Sequence, residues 1–148
     1  MNYEPLDIIQ EIIEANPSIT DLIGKTTTGS GQTYPNVAQE DVPDDMERPY
    51  IVLRLESDGM EQNDLLGSAL ISADIYTEGD RTKAREIARA LERVIHNKMY
   101  GPGSDHVGAG ALQTFKRFKH EPPQPDPSVK CVNVKIALRF YRDDLLEP

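Results

Sequence analysis

Apolar residues recur along the chain with two different periods, and the switches between them divide it into elements. Over residues 4–15, Leu6, Ile9 and Ile13 share one helical face, broadened by Ile8 and Ile12, and Pro5 suits a first turn. Asn16-Pro17 stops that helix, and a short helical turn over 19–23 follows, closed by Gly24 as a C-terminal cap. Residues 25–49 hold no sustained period and are rich in Gly, Thr, Pro and Asp, so they read as one long loop, a feature that in compact domains goes with function or mobility. The period then becomes two. Residues 50–56 alternate, with Ile51, Leu53 and Leu55 on one side, and after a polar connection over 57–64 residues 66–77 place Ala69, Ile71, Ala73 and Ile75 inward, which predicts an antiparallel hairpin. Asp80 is a ready N-cap for the clearest helix, whose Ala84, Ile87, Ala88, Leu91, Val94 and Ile95 form a continuous apolar stripe up to a stop at Gly101-Pro102-Gly103. A third strand is expected over 109–119. A Pro-rich turn at 122–127 leads into a fourth, where Val132, Val134, Ile136, Leu138 and Phe140 alternate with Cys131, Asn133, Lys135, Ala137, Arg139 and Tyr141.

The order helix, strand, strand, helix, strand, strand predicts an α+β fold: a four-stranded, mainly antiparallel sheet with two helices packed on one face, in a single domain over 1–148. The opposite face of such a sheet must meet solvent or another subunit. At 148 residues, with Leu, Ile, Val and Phe making up 35 of them, the chain is apolar enough to fold around one core. No apolar run approaches the length of a membrane span and the first residues lack the basic start of a secretory signal, so a soluble protein made in a cytoplasm is expected, with no membrane partner.

Charge changes the picture more than composition does. The net charge is −9, but residues 1–80 hold 17 acidic and 3 basic side chains whereas 81–148 hold 8 acidic and 13 basic. Such polarity fits charge-complementary packing within the fold or head-to-tail contact between copies. Two rows stand out. Glu4, Asp7, Glu11 and Glu14 form an acidic stripe on the first helix, which reads as a solvated face or as one side of a contact. Arg81, Arg85, Arg89 and Arg93 recur every four residues on the second, a repulsive arrangement that invites an acidic partner.

The chemistry-bearing motifs fail one by one. Gly24-Lys25-Thr26 resembles the end of a phosphate-binding loop, but Ile19 stands where its first glycine is required. Gly101-Pro102-Gly103 and Gly108-Ala109-Gly110 do not lie between a strand and a helix as dinucleotide binding needs. His96, His106 and His120 fit no zinc spacing, and Asp41, Asp44, Asp45 and Glu47 lack the calcium-loop pattern. Ser104-Asp105-His106 has triad residue types without a nucleophile elbow, and Cys131, the lone cysteine, reads as a packing residue. No catalytic, cofactor or metal site is therefore expected, and the protein is not expected to be an enzyme. A basic helix on a chain with a pI near 4.8 is thin support for a small nucleic-acid-binding module.

The succession IIQEIIEANPSITDLIG, a loop containing TYPNVAQEDVPDD, then PYIVLRLESD, ALISADIYTEGDRTKAREIARALERVIHN and VNVKIALRFYRD resembles the tail-completion, or tail-terminator, proteins of long-tailed bacteriophages. Its most specific parts are the approach of Tyr34-Pro35 to Pro49-Tyr50-Ile51-Val52, the Asp74-Ile75-Tyr76 strand end before the Ala/Arg-rich helix, and the closing strand. The resemblance implies a structural virion protein located in the tail neck. It implies a homohexameric ring that caps the head-proximal end of the tail tube, ends tube polymerisation and docks the head. Its partners would be further copies of itself, the tail tube protein and a head-completion or connector protein, with DNA passing through the ring without specific binding. Another neck or head-completion subunit of similar fold is the alternative. On this reading Glu4, Asp7, Glu11, Glu14, Arg81, Arg85, Arg89 and Arg93 are candidates for the subunit interface. Tyr34, Val37, Asp44, Asp45 and Met46 in the loop at 25–49, with Met60, Glu61 and Leu65 in the connection at 57–65, are candidates for partner contact.

Overall fold

The computed structural model describes residues 4–60, 66–100 and 111–142. The chain begins with two helices, α1 (Pro5–Glu14) and α2 (Pro17–Ile23), each with proline in its first turn, where the missing N–H costs no helical bond. Gly24 caps α2 at φ 77°, a left-handed value that favours glycine. Three short strands follow: β1 (Lys25–Thr27), β2 (Thr33–Pro35) and β3 (Val37–Gln39). A long hairpin, β4 (Tyr50–Met60) and β5 (Leu66–Glu78), leads to α3 (Arg81–Ile95), and the chain closes with β6 (Lys98–Met99), β7 (Ala111–His120) and β8 (Val129–Tyr141).

The main sheet has six strands in the order β3-β4-β5-β8-β7-β6, and β1 and β2 form a separate antiparallel pair. The sheet is mixed, because β3 runs parallel to β4 while the other pairs are antiparallel. The expected four-stranded sheet with two helices is therefore corrected to a six-stranded mixed sheet, a two-stranded sheet and three helices. The reason lies in length. A three-residue strand such as β3, or the two residues of β6, completes too little of a period-two pattern to be distinguished from loop. The supposed loop at 25–49 thus contains three strands, and α3 ends at Ile95 rather than at Gly101. Asn97, at φ 52°, turns the chain from α3 toward β6.

One continuous core unites the helices with one face of the sheet. It joins Ile8, Ile9, Ile12 and Ile13 of α1, Ile19 and Ile23 of α2, and Ile87, Leu91 and Ile95 of α3 to the inward residues of β4, β5 and β8. α3 starts with the Asp80 carboxylate accepting from the Thr82 N–H at 2.8 Å. It ends against β7, where the Thr114 hydroxyl donates to the Ile95 carbonyl at 2.7 Å. Glycine is required at position 67, since a Cβ there would lie 2.6 Å from the Phe140 ring.

A buried asparagine helps tie the N-terminal segment to the sheet. Asn36, 5% exposed, donates to the carbonyls of Ile23, Glu47 and Pro49 at 2.9, 3.2 and 3.2 Å and accepts from the Thr26 hydroxyl at 2.5 Å. It thereby joins the end of α2, β1 and the start of β4.

Candidate functional site

The charge polarity of the sequence becomes a polarity between the two edges of the main sheet. α1 packs over β4, β3 and β5, so its acidic stripe lies toward the β3 edge, whereas α3 packs over β8, β5 and β7. Glu4, Asp7, Glu11 and Glu14 are all exposed, as the spacing of the stripe requires once Ile8, Ile9, Ile12 and Ile13 face the core. Asp7 accepts from Gln39 Nε2 at 2.7 Å and Glu14 from Gln10 Nε2 at 2.9 Å.

The arginine row is divided between two environments. Arg85 makes a two-pronged bond to Glu121, at 2.5 Å from Nε and 2.8 Å from an Nη, and Arg81 reaches the same carboxylate at 3.7 Å. The Arg85 hydrogen bonds hold the Glu121 carboxyl below its ordinary value. One turn further on, Arg89 and Arg93 line an open concavity of about 610 Å³ with Glu92, His96, Lys116 and Arg117. Burial alone would raise the Glu92 carboxyl, but Lys119 at 2.7 Å and Lys116 at 3.6 Å outweigh it and hold the group low. Glu92 and Glu121, acids from the basic half of the chain, were not singled out by the sequence reading. Their partners lie 24 to 40 positions away, beyond the reach of any helical or strand period.

The face of the sheet away from the helices carries a polar network. Asp74 and Asn133 stand opposite each other on β5 and β8, as do Ser72 and Lys135. Asn133 donates to Ser72 at 2.5 Å and to Asp74, while Arg54 of β4 pairs with Asp74, and Lys135 pairs with Glu56 and donates to Ser72 at 3.2 Å. A cavity of about 470 Å³ opens over this network, and His120 and Pro122 contribute to its rim. Cys131 lies on the same face, 1% exposed, and burial pushes its thiol up to about 11, which suits a packing residue better than a nucleophile.

The partner-contact candidates are placed in three ways. Tyr34, half-buried, donates to exposed Asp45 at 3.4 Å, and Asp44 is exposed. Val37 and Met46 are buried at 3% and 5% and anchor their segment from below. Met60 ends β4 opposite Gly67, and Glu61 and Leu65 lie outside the described residues. Among the described residues, no group of three His, Cys, Asp or Glu side chains converges as a metal site needs, and no helix is long and apolar enough to cross a membrane.

Fold and surface together define an α+β domain whose mixed sheet is covered by helices on one face, polar on the other and oppositely charged at its two edges. Among solved structures, this fold is shared with a chain from the virion of a native gene transfer agent particle. The TM-score is 0.64 at 10% sequence identity, and the match covers 90% of this chain and 92% of that one. At that identity the likeness is one of fold. No family model matches the sequence, and no curated protein matches it.

Proposed function

We propose that this chain is a structural subunit of a phage-like virion, and specifically a tail terminator. In this role it closes into a homohexameric ring at the head-proximal end of the tail tube, ends tube polymerisation and offers the surface on which the head docks. The observation that carries the reading is the shared fold with a gene transfer agent virion component, end to end in both chains. The opposite charges at the two sheet edges support a ring, because head-to-tail contacts between unlike surfaces close into rings when the rotation permits. The role is architectural, with no catalysis. Its partners are other copies of the chain, the tube protein and a head-completion protein, and its place is the tail neck. A net charge of −9 suits a ring through which DNA passes, since an acidic wall does not retain a polyanion.

The test is to add the purified protein to polymerising tail tubes and to examine both species by sedimentation velocity and electron microscopy. The expected result is a ring with a central hole, seated on one end of each tube, and arrest of tube growth. A ring that leaves tube growth unchanged and binds portal assemblies instead would make the protein another neck subunit. A chain that stays monomeric at every salt concentration, with and without tubes, removes the ring.

A further inference from the structure

The arginine row holds two pairs with different fates. Arg81 and Arg85 share the one carboxylate of Glu121, Arg85 at 2.5 Å and Arg81 at 3.7 Å. Arg89, Arg93 and Arg117 make no hydrogen bond or ion pair among the described residues, and with Lys116 they place four permanent cations around the 610 Å³ concavity. The one carboxylate on its described wall, Glu92, is already held by Lys116 and Lys119. Among the described residues, Arg89, Arg93 and Arg117 find no anion in this concavity.

The complementary surface lies at the other edge of the same sheet. Between β3 and β4, residues 40–47 carry Glu40, Asp41, Asp44, Asp45 and Glu47, all exposed, on a segment pinned by buried Met46. Glu40, which opens this segment, stands at the level of Lys116. A cross-strand row runs from Leu55 to Ile71, Ile136 and Lys116. At its β4 end the Leu55 N–H donates to the Glu40 carboxylate at 3.3 Å, and at its β7 end stands Lys116. The strands β3 and β7, the latter outermost at Lys116 because β6 pairs only with Gln113 and Thr114, are four strand spacings apart, roughly 19 Å, more than a Debye length at physiological salt, so their charges do not neutralise each other within one chain. The acids of α1 are weaker candidates because they are sparser, four over residues 4–14 against five over 40–47.

We propose that the basic concavity formed by Arg89, Arg93, Lys116 and Arg117 receives the acidic connection 40–47 of a second copy of this chain. The contact is heterologous: the α3 and β7 side of one copy meets the β3 side of the next, and repetition carries the ring around. It rests on the ring reading above and names the surfaces that meet.

The experiment uses two charge-reversed full-length variants, Arg89→Glu/Arg93→Glu and Asp41→Lys/Asp44→Lys, checked for folding by circular dichroism and followed by sedimentation velocity. Each alone is expected to weaken self-association at least about tenfold. An equimolar mixture is expected to restore the oligomer, because each variant then presents the charge the other lacks and an even-membered ring alternates them. A wild-type oligomer that neither reversal disturbs overturns the contact and leaves the ring reading standing. Folded variants that dissociate singly and stay dissociated when mixed also overturn it. So does dissociation by Glu11→Lys/Glu14→Lys with none by Asp41→Lys/Asp44→Lys, which would assign the groove to α1. Salt-sensitive retention of duplex DNA that is lost in Arg89→Glu/Arg93→Glu, with the oligomer intact, would assign the groove to phosphate and overturn the proposal. A wild type monomeric under all conditions overturns the ring and this contact together.

Discussion

The strands β5 and β8 bury both of their faces, by opposite means. Toward the helices, Ile71, Ala73 and Ile75 meet Ile136, Val134 and Val132, all at 1% exposure or less. On the other side Ser72, Asp74 and Asn133 are 2–3% exposed, nearly as well covered, yet polar and bonded across the strands. Burial therefore does not separate the two faces, but chemistry does. The apolar face gains stability from area removed from water and is indifferent to direction. The polar face gains little net stability but holds the register, because a slip by one residue would turn Asp74 and Asn133 into the helix-packed core. It also leaves the side of the sheet that carries no helix without an apolar patch.

The comparison is broken most severely on the helix side. Leu91→Ala removes a fully buried side chain from α3 and is expected to cost about 3 kcal/mol, read as a lower urea midpoint with an unchanged slope. A loss below about 1 kcal/mol would mean that the helix layer can collapse onto the sheet and that its packing is not specific. Next comes the polar side. Asp74→Ala leaves the Asn133 amide and the Arg54 guanidinium without their shared carboxylate and is expected to cost about 2 kcal/mol, less than the core change because Arg54 is partly solvated. Replacing Asp74 and Asn133 together by Val and Leu should recover part of that loss in stability while broadening the cross-strand amide resonances of β5 and β8, if the pair serves register. Sharp resonances throughout would count against that role.

The smallest expected effect is that of pH on the charged edge. The Glu92 and Glu121 carboxyls are held below their ordinary value of 4.5 in the folded chain, so the unfolded chain binds protons first as pH falls. Their contribution is complete above the ordinary value and is lost as pH drops through the depressed folded values. The urea midpoint is expected to be level from pH 7 to pH 5 for these groups and to decline below about pH 4, with a shallower decline in Glu92→Gln. An equal decline in that variant would place the acid sensitivity elsewhere.

Much of the fold is legible because long elements repeat their period several times. The stripe Ala84, Ile87, Ala88, Leu91 and Ile95 defines α3, Asp80 announces its start, and the alternation from Val132 to Phe140 defines β8 with its inward face. Short elements repeat too little to be read, so β1, β2, β3 and β6 are missed and the sheet is undercounted. Asn36 is missed for another reason. One asparagine in a polar stretch carries no pattern, and its importance comes from Ile23, Thr26, Glu47 and Pro49 converging on it. The candidate surface divides in the same way. The rows of Glu and Arg are visible as helical spacing, but the pairing of Arg85 and Arg81 with Glu121 is not.

By itself, the sequence determined what depends on neighbours a few residues apart: the long helices and strands, their inward faces, the caps at Gly24 and Asp80 and the separation of acidic from basic halves. The tertiary structure alone decided the strand order β3-β4-β5-β8-β7-β6, the parallel placement of β3 and the division of the arginine row. The physical reason is that a local period states which side of an element avoids water but not which other element covers it. Strand partners and ion pairs are chosen by the burial and charge balance of the whole chain, and that choice puts its two charged halves on opposite edges of one sheet.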